Sequence, residues 1–242
     1  YKIGENMTFE VEDVICIIPA RGGSKGLPRK NVLTIGSESL IARPIRHAIE
    51  SGVIGTVLVT TDDAEIAKIA KATGAIVPFI RPPALAQDLT STEDTLQHAL
   101  LEYEKMTGKF FKIVVFLTAT DIFRRVEWIV DVVNRLKSNP NLESVFVGLA
   151  THKNYWNQQS DGSWKRLKPW MSTYTSRQVK KPIIREDTGL ACASRAWLWR
   201  EGRRIGDIVD VVVNDDDFTN IDIHEQRDLL LANAALNINK KL

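Results

Sequence analysis

The stretch Ile17-Ile-Pro-Ala-Arg-Gly-Gly-Ser-Lys-Gly-Leu-Pro-Arg-Lys-Asn31 decides the fold of this chain. It continues an apolar run, residues 14–18, that predicts a buried strand ending at Pro19. The next residues include the glycines Gly22, Gly23 and Gly26 and the cations Arg21, Lys25, Arg29 and Lys30. Glycines leave room for a ligand beside exposed N–H groups, and the cations supply the charge that a polyphosphate needs. The stretch therefore predicts a phosphate-binding loop at the carboxyl end of a strand.

This loop is neither of the two familiar nucleotide-binding loops. No Gly-Lys-Ser or Gly-Lys-Thr closes it as in a P-loop, and the dinucleotide pattern Gly-x-Gly-x-x-Gly is absent. A solvated basic turn is the alternative interpretation. The loop follows a strand near the N-terminus and precedes a helical pattern, which is where α/β proteins hold nucleotides, and this position favours the phosphate site.

The composition is typical of a globular protein with one large domain. The 242 residues are 44% hydrophobic and 26% charged, which are ordinary values for such a domain. A net charge of +2 does not support a broad nucleic-acid surface, so the local basic loop suits a small anionic ligand better. Cys16 and Cys192 lie in apolar segments without metal-ligand spacing, and both are predicted to be buried.

The first residues are predicted to be a loosely held tail, residues 1–11, ahead of a single domain over residues 12–242. The tail is polar and acidic, which does not match a signal peptide. No run reaches the roughly 18 apolar residues of a membrane span. We therefore expect a cytosolic protein that does not engage a membrane.

Predicted strands and helices alternate along the chain. Strands are predicted at residues 14–18, 57–60, 76–80, 113–117, 144–149, 190–194 and 208–213, and helices at residues 40–51, 64–73, 91–106, 127–136 and 224–236. Asp62 or Asp63 is expected to cap the second of these helices, and Ser91 or Thr92 the third. This rhythm predicts an α/β fold, a mostly parallel sheet flanked by helices on both faces. Because such sheets bind ligands at the carboxyl ends of their strands, the loops after Ile18, Thr60 and Leu117 should meet in one crevice.

Residues 152–187 interrupt this alternation. They carry His152, Tyr155, Trp156, Trp164, Trp170 and Tyr174 among polar and basic residues. The pair Asp161-Gly162 predicts a hairpin turn. So long a loop in a compact domain is usually functional, and exposed aromatic residues favour a partner surface. The segment is predicted to be either an arm that packs on a second copy of the chain or a hairpin that covers its own sheet.

Four segments carry a resemblance to a known family. They are the opening loop from Ile18 to Asn31, then Val59-Thr-Thr-Asp-Asp63, Arg81-Pro-Pro-Ala-Leu-Ala-Gln-Asp88 and Ile221-Asp-Ile223. In sequence and order they resemble the acylneuraminate cytidylyltransferases, also called CMP-sialic acid synthetases. The first segment is highly specific, and the resemblance extends over residues 14–236.

The resemblance implies a Rossmann-like nucleotidyltransferase fold with a protruding dimerisation arm, and hence a homodimer. It also implies an enzyme that transfers CMP from CTP to the anomeric hydroxyl of a nine-carbon 2-keto sugar acid, releasing pyrophosphate. The hydroxyl would attack the α-phosphorus in line, with Mg²⁺ as the cofactor. Such a transfer depends mostly on positioning and charge stabilisation, which a basic glycine loop provides.

The resemblance also assigns a nucleotide site. Arg21 and Lys30 would hold the CTP phosphates as catalytic residues. The implied nucleotide-binding set is Ala20, Arg21, Gly22, Gly23, Ser24, Lys25, Asn31, Arg81, Asp88 and Ser91. Two alternatives remain open, in which Arg81 is a structural ion-pair partner and Asp88 caps a loop.

The acceptor side departs from the family pattern. The implied sugar-binding set is Thr118, Thr120, Arg124, Gln178 and Arg185. Where the family has Leu-Gln-Pro-Thr-Ser-Pro-Leu-Arg, this chain has Leu117-Thr-Ala-Thr-Asp-Ile-Phe-Arg124. Thr118 thus replaces a glutamine expected to touch the sugar, and Asp121 replaces a serine. For Gln178 and Arg185 the alignment is loose, and a solvated charged face is the alternative for Arg185.

The implied metal site departs from the pattern as well. The family ends in Ile-Asp-Ile-Asp, and this chain has Ile221-Asp-Ile-His224. Asp222 is the expected Mg²⁺ ligand and a catalytic residue, and Asp121 is a second candidate ligand. His224 suits Mg²⁺ poorly, because magnesium prefers oxygen ligands. The alternatives are helix N-terminal roles for both aspartates, and residues 215–217 are predicted to form a solvated acidic turn.

Two classes of function follow. The first is a CTP-dependent acylneuraminate cytidylyltransferase. Because Thr118 and Asp121 differ from the family, its acceptor is alternatively another 2-keto sugar acid of the legionaminate, pseudaminate or 3-deoxy-octulosonate type. The second class, suggested by the missing second aspartate, is a non-catalytic nucleotide-binding relative.

Overall fold

The computed structural model describes residues 10–87, 89–176 and 178–239, and its centre is a mixed β-sheet flanked by helices. The strands are β1 (Val14–Pro19), β2 (Thr34–Ile35), β3 (Glu38–Ser39), β4 (Thr56–Thr60), β5 (Ile113–Phe116), β6 (Ser144–Thr151), β7 (Trp156–Gln158), β8 (Trp164–Arg166), β9 (Ile183–Glu186), β10 (Cys192–Arg195) and β11 (Val209–Asn214). The α-helices are α1 (Ala42–Glu50), α2 (Ala64–Ala72), α3 (Thr92–Thr107), α4 (Val126–Ser138), α5 (Ala196–Arg200) and α6 (Gln226–Asn239). The predicted α/β class is confirmed.

The main sheet has the strand order β11-β6-β10-β5-β1-β4, with β9 paired to β6 beyond the end of β10. β1 is parallel to β4 and β5, and β11 is parallel to β6. β9 and β10 run antiparallel to their neighbours. The sheet is therefore mixed, and its parallel part is the predicted one. Two predictions were wrong: residues 183–186 form a strand that was not expected, and the expected strand at 76–80 is only a bridge from Leu58 to Ile76.

Both faces of the sheet are covered, which explains the continuous apolar run in β1. Val14, Cys16 and Ile18 face the core under α1, α2, α4 and α6. Ile15 and Ile17 face the second core, under α3 and α5. A strand that is buried on both faces needs no polar alternation. None of the helices in the described ranges is long and apolar enough to cross a membrane.

The two cysteines are buried and unpaired, as predicted. Burial raises the pKa of the Cys16 thiol and raises that of Cys192 to about 12. Both thiols therefore stay protonated, and they serve as small apolar core residues rather than nucleophiles.

Two helices begin at predicted capping residues beside the expected crevice. The Asp63 carboxylate accepts the N–H groups of Glu65 and Ile66 at the start of α2. The Ser91 hydroxyl accepts the N–H of Asp94 at the start of α3. Each cap satisfies donors that lack partners inside the helix. Of the candidate caps, the structure therefore uses Asp63 rather than Asp62 and Ser91 rather than Thr92.

Residues 152–187 form a separate hairpin and then return to the sheet. β7 and β8 pair with each other around the predicted Asp161-Gly162 turn, where Gly162 has a φ of 81°. The hairpin is not part of the main sheet, and it leaves Trp164 60% and Tyr174 77% exposed. β9 then pairs with β6 of the same chain. Of the predicted tail, residues 1–9 lie outside the described residues, and Val11 begins a 3-10 turn that leads into β1.

Candidate active site

The glycine loop leaves β1 at Pro19, and two hydrogen bonds fix its base. Ala20 is buried, and its N–H donates to the Thr60 carbonyl at the end of β4, at 3.0 Å. Asn31 is also buried, and its Nδ2 donates to the Arg21 carbonyl at 2.9 Å. The strand end, the loop and the following turn are therefore held as one unit before any ligand arrives.

A cavity of about 350 Å³ lies between this loop and the loop after β5. Its walls include seven of the residues expected at the site, Arg21, Ser24, Lys25, Lys30, Asn31, Thr118 and Thr120. They also include Gly26, a glycine predicted to leave room for a ligand, His224, beside the expected metal ligand, and Pro19, Ala119 and Glu225, which the sequence did not single out. Of the three loops predicted to meet in one crevice, those after β1 and β5 line this cavity, and no described residue of the loop after β4 does. We call this space the loop cavity.

A second cavity, of about 310 Å³, adjoins the first and shares Pro19 and Arg21 with it. We call it the α3 cavity, because the start of α3 forms one wall. The remaining lining residues are Arg81, Leu85, Ala86, Gln87, Thr90, Ser91, Thr92 and Thr95. Arg81 and Ser91 were expected at the site, and Asp88, also expected there, lies outside the described residues. Arg21 stands where the two cavities meet.

The loop cations differ in their surroundings. Arg29 has a left-handed backbone, with a φ of 56°, and pairs with Asp63 and Glu65 at the start of α2. The expectation that Arg29 supplies charge to a phosphate is therefore corrected, because its own carboxylate partners neutralise it. Lys30 is half-buried and lines the loop cavity, and its Nζ donates to the Ile223 carbonyl at 2.8 Å. Lys30 thus joins the loop to the segment that carries Asp222.

The three glycines of the loop have different reasons to be glycine. A Cβ on Gly22 would lie 2.7 Å from an Asp63 carboxylate oxygen, and a Cβ on Gly26 would lie 2.6 Å from the His224 carbonyl. Gly22 and Gly26 therefore allow close packing. A Cβ on Gly23 would meet no described atom within 4 Å, so Gly23 is the glycine beside open space.

Asp222 and Asp121, the two expected metal ligands, interact electrostatically with each other. Asp222 Oδ2 is 2.7 Å from His224 Nε2, whereas the buried Asp222 Oδ1 has no hydrogen-bond partner among the described residues. Asp121 is partly buried and accepts a hydrogen bond from the Thr118 hydroxyl. Burial raises the pKa of Asp121, the Arg124 charge opposes this, and the negative charge of Asp222 adds to the rise. Burial lowers the pKa of Lys30, and Asp222 opposes that change.

These oxygens can be compared with what Mg²⁺ requires. Across residues 10–87, 89–176 and 178–239, no group of three or more His, Cys, Asp or Glu side chains is arranged to hold a metal ion. Magnesium, however, usually takes one or two carboxylates and completes its shell with water and substrate phosphates. The unpartnered Asp222 Oδ1 and the nearby Asp121 carboxylate fit that requirement.

Arg124 does not reach the loop cavity, which corrects its expected sugar contact. Its side chain is only 4% exposed and donates to the carbonyls of Thr118 at 2.7 Å, Gly189 at 2.5 Å and Leu190. Burial lowers the pKa of Arg124 to about 10, and the Asp121 charge opposes this fall. Arg124 therefore fastens the loop after β5 to the turn before β10.

Gly189 is a site-forming residue that sequence reasoning missed. Its carbonyl accepts the Thr118 N–H at 3.0 Å. A Cβ on Gly189 would overlap the Asp121 carboxylate and lie 2.8 Å from the Thr118 hydroxyl oxygen. The only signal in the sequence was a glycine in Asp187-Thr-Gly189, which by itself indicates no more than a turn.

The expected sugar-binding residues Arg185 and Gln178 line neither cavity. Arg185, on β9, donates to both carboxylate oxygens of Asp187 at 2.7 and 2.9 Å and to Asn220 Oδ1 at 2.7 Å. Gln178 is exposed and lines neither cavity. The acidic turn at residues 215–217 is confirmed, since Asp216 accepts the Phe218 N–H and pairs with Arg125 at 2.6 Å.

The architecture is that of the nucleotide-binding α/β proteins, with a basic glycine loop at the carboxyl edge of a sheet. More specifically, the chain belongs to the cytidylyltransferase family, whose sequence model matches residues 15–206. The family resemblance found in the sequence is thereby confirmed.

Several known proteins are similar to this chain. The pseudaminic acid cytidylyltransferase of Campylobacter jejuni is 42% identical over 106 residues, which cover 44% of this chain and 45% of that protein. The CMP-N,N'-diacetyllegionaminic acid synthase of Legionella pneumophila is 37% identical over 116 residues, covering 48% and 50%. The N-acylneuraminate cytidylyltransferase of Escherichia coli is 35% identical over 134 residues, covering 52% and 32%. The chain thus spans about half the length, or less, of these curated relatives.

Solved structures support the fold. A CMP:2-keto-3-deoxy-manno-octonic acid synthetase in complex with CTP superposes with a TM-score of 0.64 at 17% identity, over 93% of this chain and 99% of that chain. A 4-diphosphocytidyl-2C-methyl-D-erythritol synthase from Anaerococcus prevotii gives 0.65 at 15% identity, over 94% and 100%. At such identities the likeness concerns the fold alone.

Proposed function

We propose that this protein is a CTP-dependent cytidylyltransferase for a nonulosonic acid. It would transfer CMP to the anomeric hydroxyl of a nine-carbon 2-keto sugar acid and release pyrophosphate. The observation that carries the proposal is the pair of adjoining cavities that meet at Arg21. One is bounded by the basic loop and the other by polar residues and Arg81. The names of the relatives, which concern pseudaminic, legionaminic and neuraminic acids, support this substrate class.

In this proposal the donor occupies both cavities. The triphosphate lies in the loop cavity against Ser24, Lys25 and Lys30. The nucleoside lies in the α3 cavity near Arg81 and Ser91. Arg21, where the cavities meet, is then beside the α-phosphate. A guanidinium and an ammonium there stabilise the charge that develops as the phosphorus–oxygen bond to pyrophosphate breaks.

The acceptor is proposed to enter on the side of the loop after β5. Thr118 and Thr120 line that wall, and Arg124 and Gly189 hold it in place from behind. The wall positions the anomeric hydroxyl in line with the α-phosphorus, so the protein contributes mainly orientation. The side chain of Thr118 is shorter than the glutamine usual in the family, which leaves room for an acceptor other than N-acetylneuraminate.

Mg²⁺ is proposed as the cofactor. Asp222, through its unpartnered Oδ1, and Asp121 would hold it. When bound, it would neutralise charge on the phosphates and on the departing pyrophosphate. His224 would not hold the ion itself. Its Nε2 lies beside Oδ2 of Asp222 and can orient that carboxylate.

A homodimer formed through the hairpin of β7 and β8, the predicted arm, is part of the proposal. The hairpin of β7 and β8 carries Trp156, Trp164 and the nearby Tyr174 on an exposed surface apart from the main sheet. Large exposed aromatic side chains favour a protein interface. Light scattering should give twice the chain mass, and a mass of one chain at every concentration would contradict the dimer.

The enzyme is tested by pyrophosphate release. Purified protein is mixed with CTP and Mg²⁺ and, in separate reactions, with N-acetylneuraminate, legionaminate, pseudaminate or 3-deoxy-octulosonate. Release with one of these acids is expected and identifies the acceptor. The Arg21→Met variant, prepared in parallel, controls for contaminating activity. CTP binding without release from any acid would favour the non-catalytic relative, which the missing second aspartate suggests.

A further inference from the structure

Asp62 is a carboxylate at a position where the glycine loop is expected to bind anions. The Gly22 N–H donates to Asp62 Oδ1 at 2.9 Å. Asp62 lines neither cavity, and it does not cap α2, because Asp63 does. Neither helix capping nor direct contact with a ligand therefore explains its place beside the loop.

Asp62 also acts on the buried guanidinium of Arg81. That side chain is 4% exposed and donates to the carbonyl and the hydroxyl of Thr60, which are both uncharged. Burial lowers the pKa of Arg81 to about 10, and the charge of Asp62 opposes this fall. A single carboxylate therefore holds an amide of the glycine loop and stabilises a cation at the α3 cavity.

The backbone brings these groups together. The chain after β4 runs beside the chain after β1, since the Thr60 carbonyl accepts the Ala20 N–H at 3.0 Å. One residue further, the Thr61 carbonyl accepts the Arg81 N–H at 2.8 Å. Asp62 follows directly, between the glycine loop on one side and the segment of Arg81 on the other.

We propose that Asp62 is a positioning residue for CTP, which acts through Gly22 and Arg81 and does not touch the nucleotide. This inference rests on the proposed function. Glycine-rich backbone is costly to order, so a loop that is held in shape beforehand leaves less to be ordered on binding. A carboxylate near a triphosphate also repels it, and the Arg81 charge offsets that repulsion.

Two substitutions separate the hydrogen bond from the charge. Asp62→Ala removes both, whereas Asp62→Asn keeps an oxygen for the Gly22 N–H and loses the charge beside Arg81. Calorimetry with CTP alone is expected to show a dissociation constant about tenfold higher for D62A. D62N should fall between D62A and the unmodified protein. In steady-state assays the KM for CTP should rise while the KM for the acceptor stays within about twofold, since the acceptor wall is built by other residues.

A matched control comes from the opposite end of the sheet. The Glu143 carboxylate accepts the N–H groups of Asp207 at 2.6 Å and Ile208 at 3.1 Å, where β6 begins. Glu143→Ala therefore also removes a carboxylate that holds backbone amides. It should lower the melting temperature and leave CTP binding unchanged, which shows that lost stability alone does not weaken CTP binding.

Failure of the proposed function and failure of the inference on Asp62 give different results. Unmodified protein that does not bind CTP overturns the proposed function itself. Binding by unmodified protein together with equal binding by D62A overturns only the role of Asp62, as does a KM for the acceptor that rises as much as that for CTP. If D62A does not fold, D62N carries the test. D62N that binds CTP as tightly as the unmodified protein would overturn the role of the charge beside Arg81, and D62N that binds CTP more tightly would mean that repulsion outweighs positioning and would overturn the inference.

Discussion

Replacing His47 with glutamine should remove a pH dependence of stability that a buried imidazole imposes. His47 lies on α1 and is 7% exposed, and its Nε2 is 3.2 Å from Arg46 Nη2. Burial lowers the pKa of His47 from 6.5 to about 3, and the charges of Arg124, Arg46 and Arg43 act in the same direction. The folded protein therefore keeps this imidazole neutral at neutral and mildly acidic pH.

The size and sign of the effect follow from that pKa. The unfolded chain binds a proton at His47 near pH 6.5, and the folded protein does so only near pH 3. Below pH 6.5 the unfolded state gains a proton that the folded state lacks, so stability falls as the pH falls. Between these two pKa values each pH unit changes the free energy of unfolding by about 1.4 kcal/mol. At pH 5 the free energy of unfolding is therefore about 2 kcal/mol lower than at neutral pH.

Urea unfolding at pH 7.5 and pH 5.0 measures this loss directly. Glutamine keeps an acceptor for Arg46 and cannot titrate, and all other titrating groups are common to both proteins. Between the two pH values, the unmodified protein should lose about 2 kcal/mol more unfolding free energy than the His47→Gln variant. Equal losses in the two proteins would refute the reasoning, because they would mean that His47 is not buried as a neutral group.

Lys30→Met should lower kcat at least about a hundredfold but cost only about 1.5–3 kcal/mol of stability, the value of one charge-assisted hydrogen bond; unchanged kinetics would remove Lys30 from the site. Asp222→Asn should raise the Mg²⁺ concentration for half-maximal rate strongly, and His224→Ala should raise it less. Negligible effects of both substitutions would mean that Asp121 or another carboxylate holds the metal ion. Gly189→Ala should displace the Asp121 carboxylate and the Thr118 side chain, and so raise both the Mg²⁺ concentration for half-maximal rate and the KM for the acceptor; an unchanged KM for the acceptor would contradict its place in the acceptor wall.

Local patterns in the sequence were sufficient for the parallel part of the fold. The run at residues 14–18 is apolar at every position, because the sheet is covered on both faces. The capping positions before α2 and α3 were visible too, since short polar side chains there bond to the first turn of their own helix. Each of these signals depends only on residues that are close together in the sequence, so a short stretch of sequence is sufficient to recognise it.

The strand directions in the last part of the chain could not be seen in the same way. β9 and β10 run against their neighbours, and β9 is four residues long with mostly exposed side chains. Direction and pairing depend on which strand edge is available, and that edge is built by residues far away in the sequence. The sequence therefore predicted β10 and β11, but neither β9 nor the directions of β9 and β10.

The glycine loop shows the same division. The sequence by itself determined that a strand ends in a basic, glycine-rich loop suited to phosphate, because composition and position are local properties. Only the tertiary structure decided how its charges are used. Arg29 is paired by Asp63 and Glu65, Lys30 reaches the Ile223 carbonyl, and Asp62 holds the Gly22 amide. A cation or an amide in a sequence has no assigned partner, and the partners come from segments that only folding brings within hydrogen-bond distance.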